Sequence, residues 1–144
     1  MRKTLDSRAV ATQFRQRRGA IIPNVKIAVV DDDKPTREFV ANVLMYCVNR
    51  VVLAFENGAA LLAHLEDSNS IDIVLSDVEM PQMDGLTLLS KFKQQYPDKI
   101  CIIMSGNNEY EKDAKKLGAD AFLAKPFKVN DLFDIVKMFV VGTP

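Results

Sequence analysis

Histidine and cysteine are scarce in this chain, with one His and two Cys among 144 residues. A single histidine, His64, cannot build a zinc site, and its polar-flanked helical setting predicts a surface residue. Cys47 and Cys101 both sit in apolar patterns. They read as packed free thiols of a reducing compartment, not as a disulfide or a metal site. No apolar run approaches the length of a membrane span. The start, Met1-Arg2-Lys3, is not followed by the apolar segment of a secretory signal. A cytoplasmic location is the expectation that follows.

An excess of charge of one sign is also missing: Lys+Arg and Asp+Glu both number 19. The balance hides an asymmetry. Residues 1–26 hold seven basic side chains (Arg2, Lys3, Arg8, Arg15, Arg17, Arg18, Lys26) against one acid, Asp6, so this arm carries +6 and the remainder −6. An acidic body argues against a nucleic-acid surface on the domain, and the arm contains no recognisable nucleic-acid module. Apolar content of 48% and charged content of 26% are those of an ordinary globular domain. The length suits one domain with a real core. Residues 1–24 read as a basic arm, short helix, linker or appended sequence, 25–141 as the domain, and 142–144 as a tail.

From Val25 onward, apolar runs alternate with helical stripes. Strands are predicted at 25–30, 50–55, 71–76, 99–104 and 120–124. Helices are predicted at 34–47, 59–66, 86–96, 109–117 and 131–140. Asp33 suits the cap of the first helix and Pro35 its first turn. Inward stripes are expected from Phe39, Val40, Val43, Leu44 and Cys47; from Leu61, Leu62 and Leu65; from Leu86, Leu89 and Phe92; and from Tyr110, Ala114 and Leu117. Strands that are apolar throughout, and not alternating, suit a parallel sheet covered on both faces. Right-handed crossovers then give a doubly wound α/β three-layer sandwich.

Polar residues with chemistry follow these strands. Asp31-Asp32-Asp33 closes the first, Asp77 the third, Ser105 the fourth and Lys125-Pro126 the fifth. In a parallel sheet those ends lie on one edge, so distant residues can build one site. Carboxylates, a hydroxyl and an ammonium together suit a metal ion and a phosphoryl group.

Four segments carry a resemblance: Val29-Val30-Asp31-Asp32-Asp33, the run Leu75-Ser76-Asp77-Val78-Glu79-Met80-Pro81-Gln82-Met83-Asp84-Gly85, Met104-Ser105-Gly106, and Leu117-Gly118-Ala119-Asp120-Ala121-Phe122-Leu123-Ala124-Lys125-Pro126-Phe127. In this order and spacing, residues 25–141 resemble a response-regulator receiver domain of two-component signalling, similar to the chemotaxis receivers. The resemblance implies a flavodoxin-like five-stranded sheet of order 2-1-3-4-5. It implies Asp77 as phosphoacceptor and Mg²⁺ as cofactor. Asp31, Asp32 and Asp77 would hold the metal with the Glu79 backbone carbonyl, Asp32 and Asp77 directly and Asp31 often through water. Three carboxylates repel by about 4 kcal/mol per pair at 4 Å and an effective dielectric near 20, which a divalent cation relieves. Lys125, beside an expected cis bond to Pro126, would pair with the phosphoryl oxygens. Ser105 would move to hydrogen-bond them, and Phe122 would turn inward in concert. Glu79 and Asn107 stand where the family modulates phosphoryl lifetime, and Asp33 is left as a helix cap.

The implied function is a signalling phosphoacceptor and not an enzyme in the usual sense, although it assists its own phosphorylation and dephosphorylation. A histidine kinase or histidine phosphotransfer protein would supply the phosphoryl group. The output partner, an attached output domain or a second copy in a phosphorylation-linked homodimer would read helix 109–117, strand 120–124 and the last helix. The sequence is compatible with a stand-alone receiver and with part of a hybrid kinase or longer regulator. Two other readings stand beside it. Val29 to Pro35 loosely resembles the start of a haloacid-dehalogenase-type phosphatase, with Asp31 as nucleophile and Asp33 as acid/base. A receiver-like interaction module that does not cycle phosphate is the other.

Overall fold

The computed structural model describes residues 10–15, 24–48, 52–68 and 70–141. The remainder of the arm, the 142–144 tail and the side chain of Cys47 lie outside the described residues. In chain order the elements are β1 (Ala11–Gln13), β2 (Ile27–Val30), α1 (Lys34–Val48), β3 (Val52–Phe55), α2 (Gly58–Asp67), β4 (Ile73–Asp77), α3 (Gly85–Gln95), β5 (Ile100–Ser105), α4 (Tyr110–Lys116), β6 (Ala121–Ala124) and α5 (Val129–Val141). They form one sheet of order β1-β6-β5-β4-β2-β3. The five strands from β2 to β6 are parallel, and their order is the expected 2-1-3-4-5. One strand was not expected: β1 pairs antiparallel with β6, with Thr12 opposite Phe122. Three residues are too few for a periodic signal, so the arm's composition could not reveal it.

Side chains alternate across the central strands, and each face buries its own cluster. On one face Ile27, Val29, Ile73, Leu75, Ile102 and Leu123 meet Val40 and Leu44 of α1 and Leu132, Val136 and Phe139 of α5. On the other, Ala28, Val30, Val74, Ile103 and Phe122 meet Leu61 and Leu65 of α2, Leu88, Leu89 and Phe92 of α3, and Ala114 of α4. All six residues of β5 are buried, as befits a strand covered on both sides.

Local chemistry sets the helix ends. The Asp33 carboxylate accepts the Thr36 N–H, capping α1 as expected. Asn57 accepts the Ala60 N–H at α2, and Asp84 the Thr87 N–H at α3. After α4 the chain turns through Gly118 at φ 97°, a conformation that suits glycine. The predicted stripes need small corrections. Phe39 is 43% exposed because Val40, Ala41 and Leu44 occupy the core side of α1. Leu88 takes the inward position in α3, with Leu86 only partly buried. Leu117 is exposed past the end of α4. His64 is half-buried, its ring 5.4 Å from that of Phe55, and is not a free surface residue. Cys101 is buried as expected, and burial pushes its thiol up to about 12. No helix among the described residues is long and apolar enough to cross a membrane.

Asp120, just before β6, is buried yet charged. Its Oδ2 accepts the Cys101 N–H at 2.8 Å and the Lys93 ammonium at 2.8 Å, and its Oδ1 meets Arg15 at 3.1 Å. One carboxylate thus ties α3, β5 and β1 to the end of the α4–β6 loop. Removing one partner of such a pair strands the other charge. Asp120→Ala is expected to destabilise the fold by about 3–5 kcal/mol, read from the urea midpoint. Phe39→Ala, at an exposed position, should change it by less than about 1 kcal/mol.

Candidate functional site

The C-terminal ends of β2, β4, β5 and β6 share one edge, because the strands between them are parallel and in register. Asp31 follows β2, Asp77 ends β4, Ser105 ends β5 and Lys125 follows β6. Asp31, Asp32 and Asp77 each present a carboxylate oxygen, and these oxygens lie within 4.8 Å of one another. Their exposure is graded: Asp31 is buried, Asp77 half-buried and Asp32 exposed. A cluster of hard oxygens with an open side fits a small divalent cation that keeps part of its water shell.

Lys125 bridges the cluster. Its Nζ is 3.2 Å from Asp77 Oδ1 and 3.3 Å from Asp31 Oδ2. The Lys125-Pro126 bond is cis, as expected. The Lys125 N–H donates to the Ser105 carbonyl at 2.8 Å, which fixes the β6–α5 loop against the end of β5. Ser105 is buried, and its Oγ accepts the Asn107 N–H at 3.0 Å, so the hydroxyl proton is left for another acceptor. The Asn107 side chain accepts the Glu109 N–H and shapes the approach to α4. Glu79 is exposed two residues beyond Asp77. Phe122 is 1% exposed, with its ring inside the β5–α4 cluster.

Several supporting residues carried no sequence signal. Arg37, one turn into α1, donates from Nη1 to the Asp31 carbonyl at 2.8 Å. The Asp31 carboxylate also accepts the Asp33 N–H at 3.0 Å. The Ser76 hydroxyl donates to the Asp77 carbonyl at 2.9 Å. Gly85 was legible only as a turn residue. Its N–H donates to the Val78 carbonyl, and a Cβ there would lie 2.0 Å from the Asp77 carbonyl oxygen. The Met80 to Asp84 turn therefore closes directly onto the backbone of Asp77, and only glycine allows that approach. Beside Lys125 opens a mostly apolar cleft of about 440 Å³, lined by Thr36, Phe39, Gly106, Lys125, Pro126 and Phe127.

Burial raises the Asp77 carboxyl above its ordinary value; Lys125 pulls it back, Asp31 pushes it further up, and the net direction is up. Burial alone would lower Lys125, but the charges of Asp77 and Asp31 outweigh it and raise the ammonium. The two results are compatible, since one lysine serves two carboxylates: the cation gains from both, while Asp77 has only a share of it. Asp33 is lowered, chiefly by its bonds from Thr36.

A carboxyl whose folded pKa is raised binds its proton more tightly in the folded state. Its ionisation therefore costs stability above that pKa, and the cost vanishes below the ordinary value of 3.8. Without divalent cations, Asp77→Asn should melt at a higher temperature than the parent at pH 7, with the gap closing near pH 3. Added Mg²⁺ should raise the parent's melting temperature more than the variant's. The Gly85→Ala change should cost about 1–3 kcal/mol by overpacking, visible in the same melts.

The description "Response regulator receiver domain" matches residues 27–137. Among curated proteins, the chain is 40% identical over 116 residues to the two-component response regulator-like PRR37 of Oryza sativa subsp. indica, covering 75% of this chain and 15% of that protein. It is 37% identical over 111 residues to the DNA-binding transcriptional regulator NtrC of Escherichia coli K12, covering 76% of this chain and 23% of that protein. The chain thus spans less than a quarter of either relative. Among solved structures, the BeF3-activated DrrB receiver domain superposes with a TM-score of 0.72 at 30% identity, covering 81% of this chain and 97% of that one. A CheY-like receiver domain protein from Methanospirillum hungatei JF-1 gives 0.75 at 26% identity, covering 82% and 94%. With this match over most of its length, and with its sheet and strand order, the chain belongs to the response regulator receiver domain family.

Proposed function

We propose that Asp77 is the phosphoacceptor of this receiver and that Lys125, Ser105 and the paired acids Asp31 and Asp32 serve it. The observation that carries the reading is the bridge of Lys125 between Asp77 and Asp31, inside a cluster of three carboxylates at the C-terminal edge of the sheet. A carboxylate oxygen of Asp77 attacks phosphorus. The bond from phosphorus to the donor's nitrogen or oxygen breaks, and its electron pair leaves with the donor. The product is an acyl phosphate. Two negative charges approach one another in that step, so the ammonium of Lys125 favours it.

Mg²⁺, held by Asp31, Asp32, Asp77 and the Glu79 backbone carbonyl, would supply the remaining charge neutralisation. The hydroxyl of Ser105 donates to the new phosphoryl oxygens. A phosphoryl group carries about two negative charges at neutral pH, and its pull on Ser105 and Lys125 biases the loops beside α4 and β6. Phe122, 1% exposed in this structure, is the proposed switch aromatic that responds to the shift of Ser105. Exposed Glu79 and the Asn107 that positions α4 are the lifetime-tuning residues. The phosphoryl donor is a histidine kinase or phosphotransfer protein of the cytoplasm, docking at the apolar cleft with Phe39 on its rim. Output passes through α4, β6 and α5 to a protein partner, a linked domain or a second copy.

The phosphatase reading loses its proton carrier. The Asp33 carboxylate takes both the N–H and the hydroxyl of Thr36 and caps α1. The buried Asp31 is bonded to the Asp33 N–H and to Lys125. The interaction module without phosphate cycling makes a different forecast in the following test.

Incubated with Mg²⁺ and acetyl phosphate, the chain should gain one base-labile phosphoryl mass, absent from Asp77→Asn and absent without the metal. Lys125→Ala should slow the gain by about 10- to 100-fold, the worth of a charged hydrogen bond. Full incorporation by Asp77→Asn would rule out the assignment. No incorporation by the folded parent would favour the interaction module.

A further inference from the structure

The sheet edge opposite β3 belongs to β6, whose sequence Ala121-Phe122-Leu123-Ala124 has no charge or proline to guard it. An apolar edge of this kind readily accepts another strand. Here residues 10–15 of the same chain occupy it. Ala11, Thr12 and Gln13 pair with Leu123, Phe122 and Ala121. The N–H groups of Phe14 and Arg15 both donate to the Asp120 carbonyl. Phe14 packs on the cluster that holds Phe122, with the Lys115 ammonium of α4 5.9 Å from its ring centre. Arg15 closes the contact on the Asp120 carboxylate.

Two features connect this strand to the site. Val10 accepts the Ala124 N–H at 2.7 Å, so the clamp reaches the residue next to Lys125. Thr12, 4% exposed, lies directly across from Phe122. Two further features make the contact a weak one. It has only three ladder residues, and two of them, Thr12 and Gln13, bury polar side chains. Gln13 Oε1 is buried and accepts no hydrogen bond among the described residues, a state that disfavours docking.

We propose that the β6 edge is a strand-addition site whose occupant is the chain's own residues 10–15, and that docking of this strand is coupled to the phosphoryl state of Asp77. The coupling rests on the phosphoacceptor reading above. Lys125 and Ser105 are bonded through the backbone, and Ala124 is bonded to Val10. A pull on Lys125 and Ser105 therefore moves the last residues of β6 against their partner strands. Pairing with β5 runs over four registered positions inside a buried sheet, whereas pairing with β1 runs over three at its rim. The rim contact is the one that gives way, so the phosphorylated state releases residues 10–15. Linkage then requires the converse: releasing the strand favours the phosphorylated state by the same factor.

The test uses the full chain with Mg²⁺ and beryllofluoride, a phosphoryl mimic, with binding followed by titration and residues 10–15 by amide hydrogen exchange. Saturation should speed exchange in residues 10–15 by about 5-fold or more, the lower end of ordinary coupling, and leave Asp77→Asn unaffected. Thr12→Pro, which removes an edge N–H, should bind beryllofluoride more tightly by a similar factor, and the milder Arg15→Ala by a smaller one. Binding with unchanged or slower exchange overturns the coupling and leaves the phosphoacceptor reading standing. A folded parent that binds no beryllofluoride overturns both.

Discussion

Three carboxylates within 4.8 Å of one another are a repulsive arrangement, and the rest of the site is organised around holding them there. Asp31 is fixed from several sides: its N–H donates to the Phe55 carbonyl, its carbonyl accepts Arg37, and its carboxylate accepts the Asp33 N–H and Lys125. Asp77 is held by its place in β4, by the Ser76 hydroxyl on its carbonyl, and by the close approach of Gly85. Among the described residues, Lys125 alone forms ion pairs with the cluster, and it is shared between Asp77 and Asp31. The raised Asp77 carboxyl is the residue of that balance. The fold thus keeps Asp77 among like charges, at an opening where a cation would be favoured.

The same logic governs the far side of the domain, where Asp120 is a second buried carboxylate. Here the charge is satisfied, by Lys93, Arg15 and a backbone N–H. The contrast between the two acids is informative. Asp120 spends its oxygens on structure and joins four segments, whereas the cluster at the strand ends keeps an open, half-exposed side. Paired buried charge suits a joint, and underpaired charge at an opening suits a binding site.

Both regions meet in β6. Its C-terminal end carries Lys125 to the carboxylates, its middle buries Phe122 beneath α4, and its start follows Asp120. The strand therefore runs from the carboxylate cluster to the outer edge, where Ala11–Gln13 pair with it. A short contact whose buried Gln13 amide oxygen finds no partner among the described residues is a weak closure for such an edge, unlike the buried ladders of β4 and β5.

Much of this was legible in the sequence because it depends on local patterns. Apolar runs of strand length, each followed by a polar residue with chemistry, specified the five parallel strands and brought Asp31, Asp32, Asp77, Ser105 and Lys125 to one edge. The Asp33 cap was readable from its place before a helical stripe. Other features depended on contacts between distant segments. Arg37 could not be told from any helical surface arginine until its guanidinium was placed on the Asp31 carbonyl. Gly85 could not be told from an ordinary turn glycine until the Asp77 carbonyl was seen against it. Asp120 read only as the first residue of the last strand, and Thr12 and Gln13 as part of a polar arm. Periodicity reports which face of an element is apolar, and that was enough to determine the layers and the site's edge. Which polar groups are buried, and which partners satisfy them, is decided only when the chain closes on itself, because hydrogen-bond partners far apart in sequence leave no local pattern.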